Sequence, residues 1–511
     1  MDYNMDSALL TKRNDHHQDD PEVDYHHKGD GYPAADHEYG GHDDNDQENG
    51  GLLRRTCSES KKLWYIAGPA ILTSVLQYSL AAITQTVAGH IGPIELAAVA
   101  IQNLAISGIG FGAMTGMGSA LETLSGQAFG AGQLYMLGIY LQRSWIILIC
   151  TAVVMSLIYI FSTPILILLH QNREIAVVAG RFSKMMLPQL FAFAINAPMQ
   201  KFLQSQSKVV AMAWISGVVV VLHAVLSWLF IIKLGLGLVG AAITLNLAWW
   251  LVNFALFVYI TIDCVDTWSG FSWLAFRDLW GFVKLSMASA IMLWLEYWFI
   301  MLLLVLIGAL KNAEIPLAAA SICLNLDGWY FMVTLGFLIA ISVRVSNELG
   351  AGRPKAAKFS VVVAVFTSLS IGIVVMVVIL TTRKVFPALF TDDEAVKAEV
   401  RKISSLLAIS VILSSIQPVL SGMAVGAGWQ SVIAWVNIGC YLVVGLTSGV
   451  VMGYKFHLGV QGLWGGVLIG FFVQIIILLI ITWKTDWKRE VSLAKERIAE
   501  WGGTSVVAST D

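Results

Sequence analysis

Apolar runs alternate with short polar breaks along most of this chain. From residue 62 onward, twelve runs are long enough to cross a hydrocarbon core of roughly 30 Å as helices. They cover residues 63–87, 96–118, 137–160, 178–199, 209–232, 238–262, 284–308, 316–341, 359–382, 402–425, 431–453 and 460–483. Because an even number of spans brings the chain back to its starting side, the pattern predicts an all-α polytopic membrane protein with twelve transmembrane helices.

The twelve runs form two sets of six, because short motifs of the first half recur in order in the second half. Leu76-Gln77-Tyr78 is matched by Leu295-Glu296-Tyr297, and Gly130-Ala131-Gly132 is matched by Gly350-Ala351-Gly352. Two halves of six spans insert in the same orientation, which makes them parallel repeats with a site near the midplane. The sequence therefore predicts a tail at 1–55, two six-helix lobes at 56–265 and 266–483, and a second tail at 484–511.

Positive charge gathers on one side of the predicted spans. Arg54, Arg55, Lys61 and Lys62 precede the first span, and Lys484, Lys488 and Arg489 follow the last one. By the positive-inside rule, both termini are expected in the cytosol. Residues 484–500 alternate charges at helical spacing, so we expect a short amphipathic helix there.

The first fifty residues differ in kind from the rest. This segment is rich in Asp, Glu, Asn, Gly and His, and it cannot bury enough apolar surface to offset its ordering entropy, so we expect it to be disordered. Its histidines lack metal-ligand spacing. Two acidic dileucine patterns, ending in Leu9-Leu10 and Leu52-Leu53, are typical of sorting signals that are read by adaptor proteins.

Composition agrees with a membrane protein and excludes several function classes. Among 511 residues, 57% are hydrophobic and only 13% are charged, with mean hydropathy +0.71, against about 25% charged residues in soluble proteins. A net charge of −2 gives no sign of nucleic-acid binding. The five cysteines form no C-x-x-C pair, and Gly126–Gly132 lacks the lysine of a phosphate loop. No metal, cofactor or enzymatic activity is predicted.

Two acidic residues stand inside apolar runs of the second half, Glu296 and Asp327. A carboxylate near the bilayer centre costs about 2.5–3.5 kcal/mol on insertion scales and therefore normally faces a cavity, a partner or a transport path. At the position of the repeat that corresponds to Glu296, the first half carries the neutral Gln77. We interpret Glu296 and Asp327 as proton-coupling groups of the C-terminal lobe. A hydrogen-bonded structural role remains the alternative for both.

Other polar and aromatic residues of the spans are candidates for a substrate cavity, and Pro69, which removes a backbone hydrogen bond, is the candidate for a helix bend. The cavity candidates are Gln77, Tyr78, Asn103, Tyr297, Asn325, Tyr330, Ser414 and Gln417.

Four motifs together resemble the plant branch of the multidrug and toxic compound extrusion (MATE) family, over roughly residues 55 to 490. They are SALETLSGQAFGAGQ from Ser119, SVRVSNELGAGRP from Ser342, Leu295-Glu296-Tyr297-Trp298, and SGMAVGAGWQ from Ser421. The resemblance implies cation-coupled, usually proton-coupled, export of organic compounds, with Glu296 as the acid of span seven. The family's second acid, in span ten, is replaced here by Ser414.

The leading hypothesis is therefore proton-coupled antiport of flavonoid-type or other secondary metabolites out of the cytosol. A passive anion channel or uniporter of the same fold is the second hypothesis, and a lipid flippase is the third. The resemblance favours the vacuolar membrane, with the plasma membrane as the alternative. The expected partners are a small organic substrate, protons, the lipid bilayer and sorting adaptors.

Overall fold

The structure is a computed structural model that describes residues 51–169, 171–277, 279–310 and 314–501. Within the seventh span, it leaves the side chains at positions 294, 296–298, 300 and 301 undescribed. The chain divides into two units, Met1–Arg55 and Thr56–Asp511, and the helical bundle belongs to the second. The dileucine at Leu9-Leu10 lies outside the described residues.

Twelve helical spans account for almost all of the second unit, which confirms the predicted all-α fold. We number the spans in chain order: α1 (Leu52–Gly89), α2 (Pro93–Gly130), α3 (Leu134–Ile160), α4 in two pieces (Arg173–Met185 and Leu187–Ser205), α5 (Val209–Lys233), α6 (Gly237–Asp263), α7 (Leu279–Gly308), α8 (Glu314–Gly350), α9 (Pro354–Thr382), α10 (Glu394–Ala427), α11 (Gln430–Lys455) and α12 (Gly459–Lys484). A short helix, Ser162–Leu168, lies between α3 and α4, and a further helix, α13 (Trp487–Glu500), follows the last span.

Ten of the described helices are long and apolar enough by themselves to cross a membrane. The two other spans have identifiable reasons for falling short of that measure. In α4 the helix is interrupted at Met186. The first piece has only 13 residues, and the second, with 19, is long enough but carries too many polar residues, among them Asn196, Gln200 and Lys201. In α7 the described side chains cover only part of the apolar run.

Several helices extend well past their apolar runs. The predicted first span begins at residue 63 and the eighth ends at 341, whereas α1 begins at Leu52 and α8 ends at Gly350. Hydrophobicity marks only the membrane-crossing part of a helix. The ends of α2 and α8 are set instead by the turns after them, where Gly132 and Gly352 adopt φ of 73° and 74°, a conformation that favours glycine.

The two lobes pack tightly against each other at one end of the bundle, which we call the packed end. It consists of residues 116–128 of α2, 339–350 of α8 and 417–427 of α10, nearly all of which are buried. Towards its other end, each of these three helices exposes many more side chains.

Glycine permits the close crossing of α2 and α8 at the packed end. A Cβ on Gly130 would collide with the backbone of Asn347, and a Cβ on Gly350 would collide with the backbone of Gln127. Thr123 Oγ1 donates a hydrogen bond of 2.6 Å to the Val425 carbonyl on α10. These contacts join the N-terminal lobe to the C-terminal lobe.

The predicted terminal helix is present as α13, and it is docked on the bundle. Trp429 Nε1 donates to Glu490 Oε2 at 3.0 Å, and Arg497 Nη1 donates to Gln127 Oε1 at 3.3 Å. Burial raises the pKa of the Glu490 carboxyl and lowers the pKa of the Arg497 guanidinium. Because Gln127 belongs to α2 and Trp429 lies between α10 and α11, α13 contacts both lobes.

Candidate functional site

Amide side chains form a hydrogen-bonded chain inside the N-terminal lobe, which we call the N-lobe amide chain. It consists of Gln77, Asn196, Gln200, Ser216 and Asn253. Gln200 Nε2 donates both to Gln77 Oε1, at 3.1 Å, and to Asn196 Oδ1, while Gln77 Nε2 lies 3.5 Å from Ser216 Oγ. Asn196 Nδ2 donates to Asn253 Oδ1 at 2.8 Å. The chain thereby links α1, α4, α5 and α6.

The C-terminal lobe contains a corresponding chain, the C-lobe amide chain, which consists of Gln417, Ser421, Asn437, Tyr441 and Gln474. Gln417 Nε2 lies 3.2 Å from Ser421 Oγ and 3.4 Å from the Tyr441 hydroxyl, which donates to Gln474 Oε1 at 2.8 Å. Gln474 Nε2 in turn donates to Asn437 Oδ1 at 2.7 Å.

The C-lobe amide chain reaches the backbone of α7. Asn437 Nδ2 donates to the Met292 carbonyl at 3.3 Å. Met292 lies four residues before Glu296, which is about one turn of helix. The contact therefore places the polar chain one turn from the position of the predicted coupling acid.

The two amide chains occupy equivalent positions of the sequence repeat. Asn196, Ser216 and Asn253 are separated from Gln417, Asn437 and Gln474 by the same 221 positions. Buried amides need partners, because an unpaired polar group in hydrocarbon is costly. Each lobe therefore meets that need on the same set of helices, the first, fourth, fifth and sixth of its six.

Glu296 and Tyr297 were predicted to contribute to coupling and to the cavity. Both belong to α7, but their side chains lie outside the described residues. Their roles stay predictions.

Asp327 lies between α8 and α10. Ser410 Oγ donates to Asp327 Oδ1 at 3.0 Å. One turn further along each helix, the Tyr330 hydroxyl lies 2.6 Å from Ser415 Oγ. Ser410 is four residues before Ser414, so the carboxylate faces the turn of α10 that precedes the position of the missing acid.

Tyr78 and Trp329 meet across the two lobes, on α1 and α8. Their rings pack edge to face with centroids 5.6 Å apart, and each side chain is about half exposed, 47% for Tyr78 and 46% for Trp329. Asn325, one turn before Trp329, is also exposed. Three predicted cavity positions, Gln77, Tyr78 and Asn325, therefore lie near this lobe contact.

Glu59 and Arg344 join the same two helices, α1 and α8, at the packed end. Arg344 Nε lies 3.0 Å from Glu59 Oε1, and Arg344 Nη2 lies 2.7 Å from Glu348 Oε1. All three side chains are largely buried. One guanidinium thus holds carboxylates from both lobes.

The other predicted positions are less informative. Asn103 lies in a π-helical stretch of α2, Gln102–Ser107, where its Nδ2 has no hydrogen-bond partner within the described part of the chain. Ser414 is half-buried on α10. Pro69 lies inside α1, which continues as one helix on both sides of it. The bend at Pro69 stays a prediction.

A buried histidine in the N-terminal lobe was missed by the sequence analysis. His223, in α5, is 1% exposed and contacts Thr84 of α1 and Thr244 of α6. The sequence analysis considered only Glu296 and Asp327, both in the C-terminal lobe, as ionisable groups within the spans. The signal was available, because His223 is the only ionisable side chain in the apolar run 209–232.

A cavity of about 600 Å³ is lined by residues of α4 and α6 that the sequence did not select: Met185, Val239, Ala242, Ile243, Asn246, Leu247 and Trp250. Among the described residues, no group of three or more His, Cys, Asp or Glu side chains has the arrangement of a metal site.

Known proteins resemble this chain in sequence and in structure. The family model described as MatE matches residues 69–229 and 288–451, one segment in each lobe. Protein DETOXIFICATION 33 of Arabidopsis thaliana is 57% identical over 448 residues, which are 88% of this chain and 93% of that protein. Protein DETOXIFICATION 29 of Arabidopsis thaliana is 54% identical over 455 residues, 89% of this chain and 91% of that protein.

Among solved structures, the eukaryotic MATE transporter AtDTX14 has a TM-score of 0.82 and 33% identity, covering 87% of this chain and 99% of that chain. The MATE transporter VcmN of Vibrio cholerae has a TM-score of 0.74 at 19% identity, over 86% of this chain and 99% of that chain, and shares the fold. This chain therefore belongs to the MATE family, whose members are membrane transporters and not enzymes.

Proposed function

We propose that the protein is a proton-driven antiporter that moves flavonoid-type or other secondary metabolites out of the cytosol. Membership of the MATE family supports secondary transport of organic compounds. The name DETOXIFICATION, which the plant relatives carry, agrees with export of such compounds. We further propose that transport is coupled to protons, that it runs out of the cytosol, and that the substrates are flavonoid-type or other secondary metabolites.

The contact between Asp327 and Ser410 carries the proposal. It puts a carboxylate against α10, one turn from Ser414, in a lobe whose seventh span already holds Glu296. Two acids in one lobe can share a proton, since each negative charge favours protonation of the other. Asp327 would then take the role of the family's second acid, whose position in span ten is occupied here by Ser414.

The C-lobe amide chain would couple protonation of Glu296 to the packing of the C-terminal helices. A proton bound at Glu296 would change the hydrogen bonding of α7 next to Met292, where Asn437 holds the backbone. That change would alter how α7 packs on α10, α11 and α12 and would release the substrate. An acidic compartment supplies the free energy, about 1.36 kcal/mol per proton for each pH unit.

Substrate-dependent proton flux in vesicles tests this proposal. Vesicles that contain the purified protein are given an acidic interior, and proton efflux and substrate uptake are measured together when a flavonoid glycoside is added outside. Glu296→Gln keeps the size of the side chain and removes its titration, so we expect normal insertion with loss of both fluxes. Glu314→Gln, at the exposed start of α8, is the matched control and should behave as the wild type. Proton-coupled uptake by Glu296→Gln would refute the role of Glu296.

Passive anion conduction is the second candidate, favoured by Ser414 in place of the second acid. Under that alternative, currents across the vesicle membrane would follow the equilibrium potential of the anion and would ignore the pH gradient. Such currents would overturn the antiport proposal.

We also propose a vacuolar membrane location, which the resemblance to plant MATE proteins favours. Both termini are proposed to lie in the cytosol, because the segments that flank the first and last spans are rich in Lys and Arg. Leu52 and Leu53 are exposed, as a sorting signal requires. Changing Leu9, Leu10, Leu52 and Leu53 to Ala should misdirect a fluorescently tagged protein while transport in vesicles stays intact. Unchanged targeting would remove the sorting role.

A further inference from the structure

His223 lies in a hydrogen-bonding arrangement that the proposed coupling acids do not use. Its Nδ1 is 3.2 Å from the Thr244 carbonyl oxygen on α6, and its Nε2 is 3.2 Å from the Leu80 carbonyl oxygen on α1. The side chain is buried, at 1% exposure. Each ring nitrogen therefore faces a backbone carbonyl of a different helix.

Two facing carbonyls favour a ring with two protons. A carbonyl oxygen only accepts hydrogen bonds, and a neutral imidazole has one N–H, whereas an imidazolium has two. A neutral ring that donates from Nδ1 to Thr244 leaves the Nε2 lone pair opposite the Leu80 oxygen. Protonation turns that opposition into a second hydrogen bond.

Thr84 allows the neutral ring to exist at the same place. Its hydroxyl oxygen is 3.0 Å from His223 Nε2 and 3.0 Å from the Leu80 carbonyl oxygen. With the ring neutral, the hydroxyl can donate to Nε2. With the ring protonated, it can rotate and donate to Leu80 while Nε2–H also points towards α1. Both protonation states are thereby hydrogen-bonded.

The side chains around the ring are uncharged. Besides Thr84, they are Ser227 of α5, whose Oγ is 3.4 Å from Nε2, and Thr244 of α6, which bonds Ser227. No charged side chain among the described residues forms a hydrogen bond or ion pair with His223. The titratable groups on the three helices beyond residue 55 lie elsewhere along them, namely Cys57, Glu59, Lys61, Lys62, Tyr65 and Tyr78 on α1, Lys233 on α5, and Tyr259 and Asp263 on α6.

The arrangement is particular to the N-terminal lobe. At the repeat offset of 221 positions, His223 corresponds to Val444, and at the offset that pairs Gln77 with Glu296, Thr84 corresponds to Leu303. Both counterparts are apolar. In the N-terminal lobe, Thr84 and His223 each lie seven residues after a member of the N-lobe amide chain, Gln77 and Ser216, which is about 10 Å along the helices.

We propose that His223 is a proton-binding site of the N-terminal lobe, where a bound proton joins α1 to α5 and α6 through the Leu80 and Thr244 carbonyls. An ionisable group within a span is costly and is normally functional. This inference deepens the proposed proton-driven transport, but it concerns proton binding by the protein itself and does not depend on Glu296 being the coupling acid.

Proton counting tests the site without a transport assay. The purified full-length protein in lipid nanodiscs is titrated from about pH 8 to about pH 5, the range in which histidines change charge. We expect the wild type to take up one more proton per chain than His223→Gln. Equal uptake by the two proteins would overturn the proposal.

A second variant keeps the test decisive if His223→Gln fails to fold. Thr84→Val removes the hydroxyl that donates to the neutral ring and leaves the Leu80 carbonyl in place. The pH midpoint of the change in the ring's ¹⁵N chemical shift should therefore rise by about half a pH unit to one pH unit. Thr86→Val, on the same helix with an exposed hydroxyl, is the matched control and should leave the titration unchanged. A ring resonance that keeps one shift throughout the range would contradict the proposal.

The flux assay separates this inference from the proposed function. If His223 titrates and Glu296→Gln still transports with proton coupling, the proton site stands and the assignment of Glu296 fails. If His223 does not titrate while Glu296→Gln loses proton flux, the histidine site fails and the antiport proposal stands.

Discussion

The two lobes are built alike, and they differ in where they hold charge. Each has a chain of amide and hydroxyl side chains on its fourth, fifth and sixth helices that extends to the first helix. In the N-terminal lobe the chain includes the side chain of the neutral Gln77. In the C-terminal lobe it ends on the backbone of α7, one turn before Glu296. The shared part satisfies buried polar groups and holds the helices, so the differences mark positions where ionisable chemistry is found.

The buried ion pairs at the packed end also differ between the lobes. In the N-terminal lobe, Lys201 Nζ lies 2.6 Å from Glu122 Oε2, and both residues belong to the same lobe. In the C-terminal lobe, Arg344 contacts Glu348 of its own helix and also Glu59 of the other lobe. The first pair stabilises one lobe, whereas the second also fixes the two lobes to each other.

Removing Arg344 should have the largest effect. Arg344→Gln leaves the buried carboxylate of Glu59 without its cation, whereas Glu348 keeps Arg353, whose Nε lies 2.8 Å from Glu348 Oε2. Breaking a buried pair in this way costs about 3–5 kcal/mol. We expect a marked fall in the melting temperature of the detergent-solubilised protein. The second change Glu59→Gln should restore part of it, because it removes the buried charge that Arg344→Gln leaves without a cation.

Lys201→Gln is the matched change inside the N-terminal lobe. It leaves Glu122 without its paired cation and keeps the contact between the lobes intact, so we expect a smaller loss of thermal stability. Equal losses in Lys201→Gln and Arg344→Gln would show that the contact between the lobes adds nothing.

Breaking the two amide chains at equivalent positions should separate their roles. Gln474→Leu and Asn253→Leu each remove two hydrogen bonds, and each buried partner left unpaired costs about 1–3 kcal/mol. Both variants should melt at lower temperature by similar amounts. Only Gln474→Leu should change the pH dependence of transport, because its chain reaches α7 next to Glu296. A pH profile altered equally by Asn253→Leu would erase the difference between the lobes.

The smallest effects are expected around Asp327. If its carboxylate shares a proton with Glu296, then Asp327→Asn removes a negative charge that favours protonation, and the pH profile of transport should move down by about one unit. Ser410→Ala removes the hydroxyl that stabilises the ionised carboxylate, so the profile should move up. Shifts of opposite sign support the shared proton. Lower stability with an unmoved profile in both variants would leave Asp327 a packing residue.

The spans and their repetition were predictable because they depend on local composition. An apolar run of about twenty residues has few alternatives in a membrane protein, and the repeat is visible in short motifs such as Leu76-Gln77-Tyr78 and Leu295-Glu296-Tyr297. The repeated motifs Gly130-Ala131-Gly132 and Gly350-Ala351-Gly352 were visible too, but their sequence does not show that the first glycine of each lies where α2 crosses α8.

The amide chains could not be predicted, because their partners lie far apart in sequence. Asn196 and Asn253 are joined by a single hydrogen bond, yet nothing near either residue in the sequence indicates the other. Which face an apolar helix turns to its neighbours is set by packing, since lipid and protein interior are equally apolar. His223 was missed for a different reason, because only acids within the spans were considered as coupling groups, although a base there has the same kind of surroundings.

The docking of α13 bears on the populations of conformers. Arg497 bonds Gln127, Arg143 bonds the Trp501 carbonyl, and Trp429 bonds Glu490, so the segment from α13 to Trp501 holds both lobes in their present arrangement. Every contact made in only one conformer lowers the free energy of that conformer, and about 1.4 kcal/mol changes a ratio tenfold. If the lobes part at this end during transport, the few hydrogen bonds made by α13 and Trp501 set the fraction of molecules in the present arrangement. The strength of these contacts would then tune how often the transporter is ready to turn over.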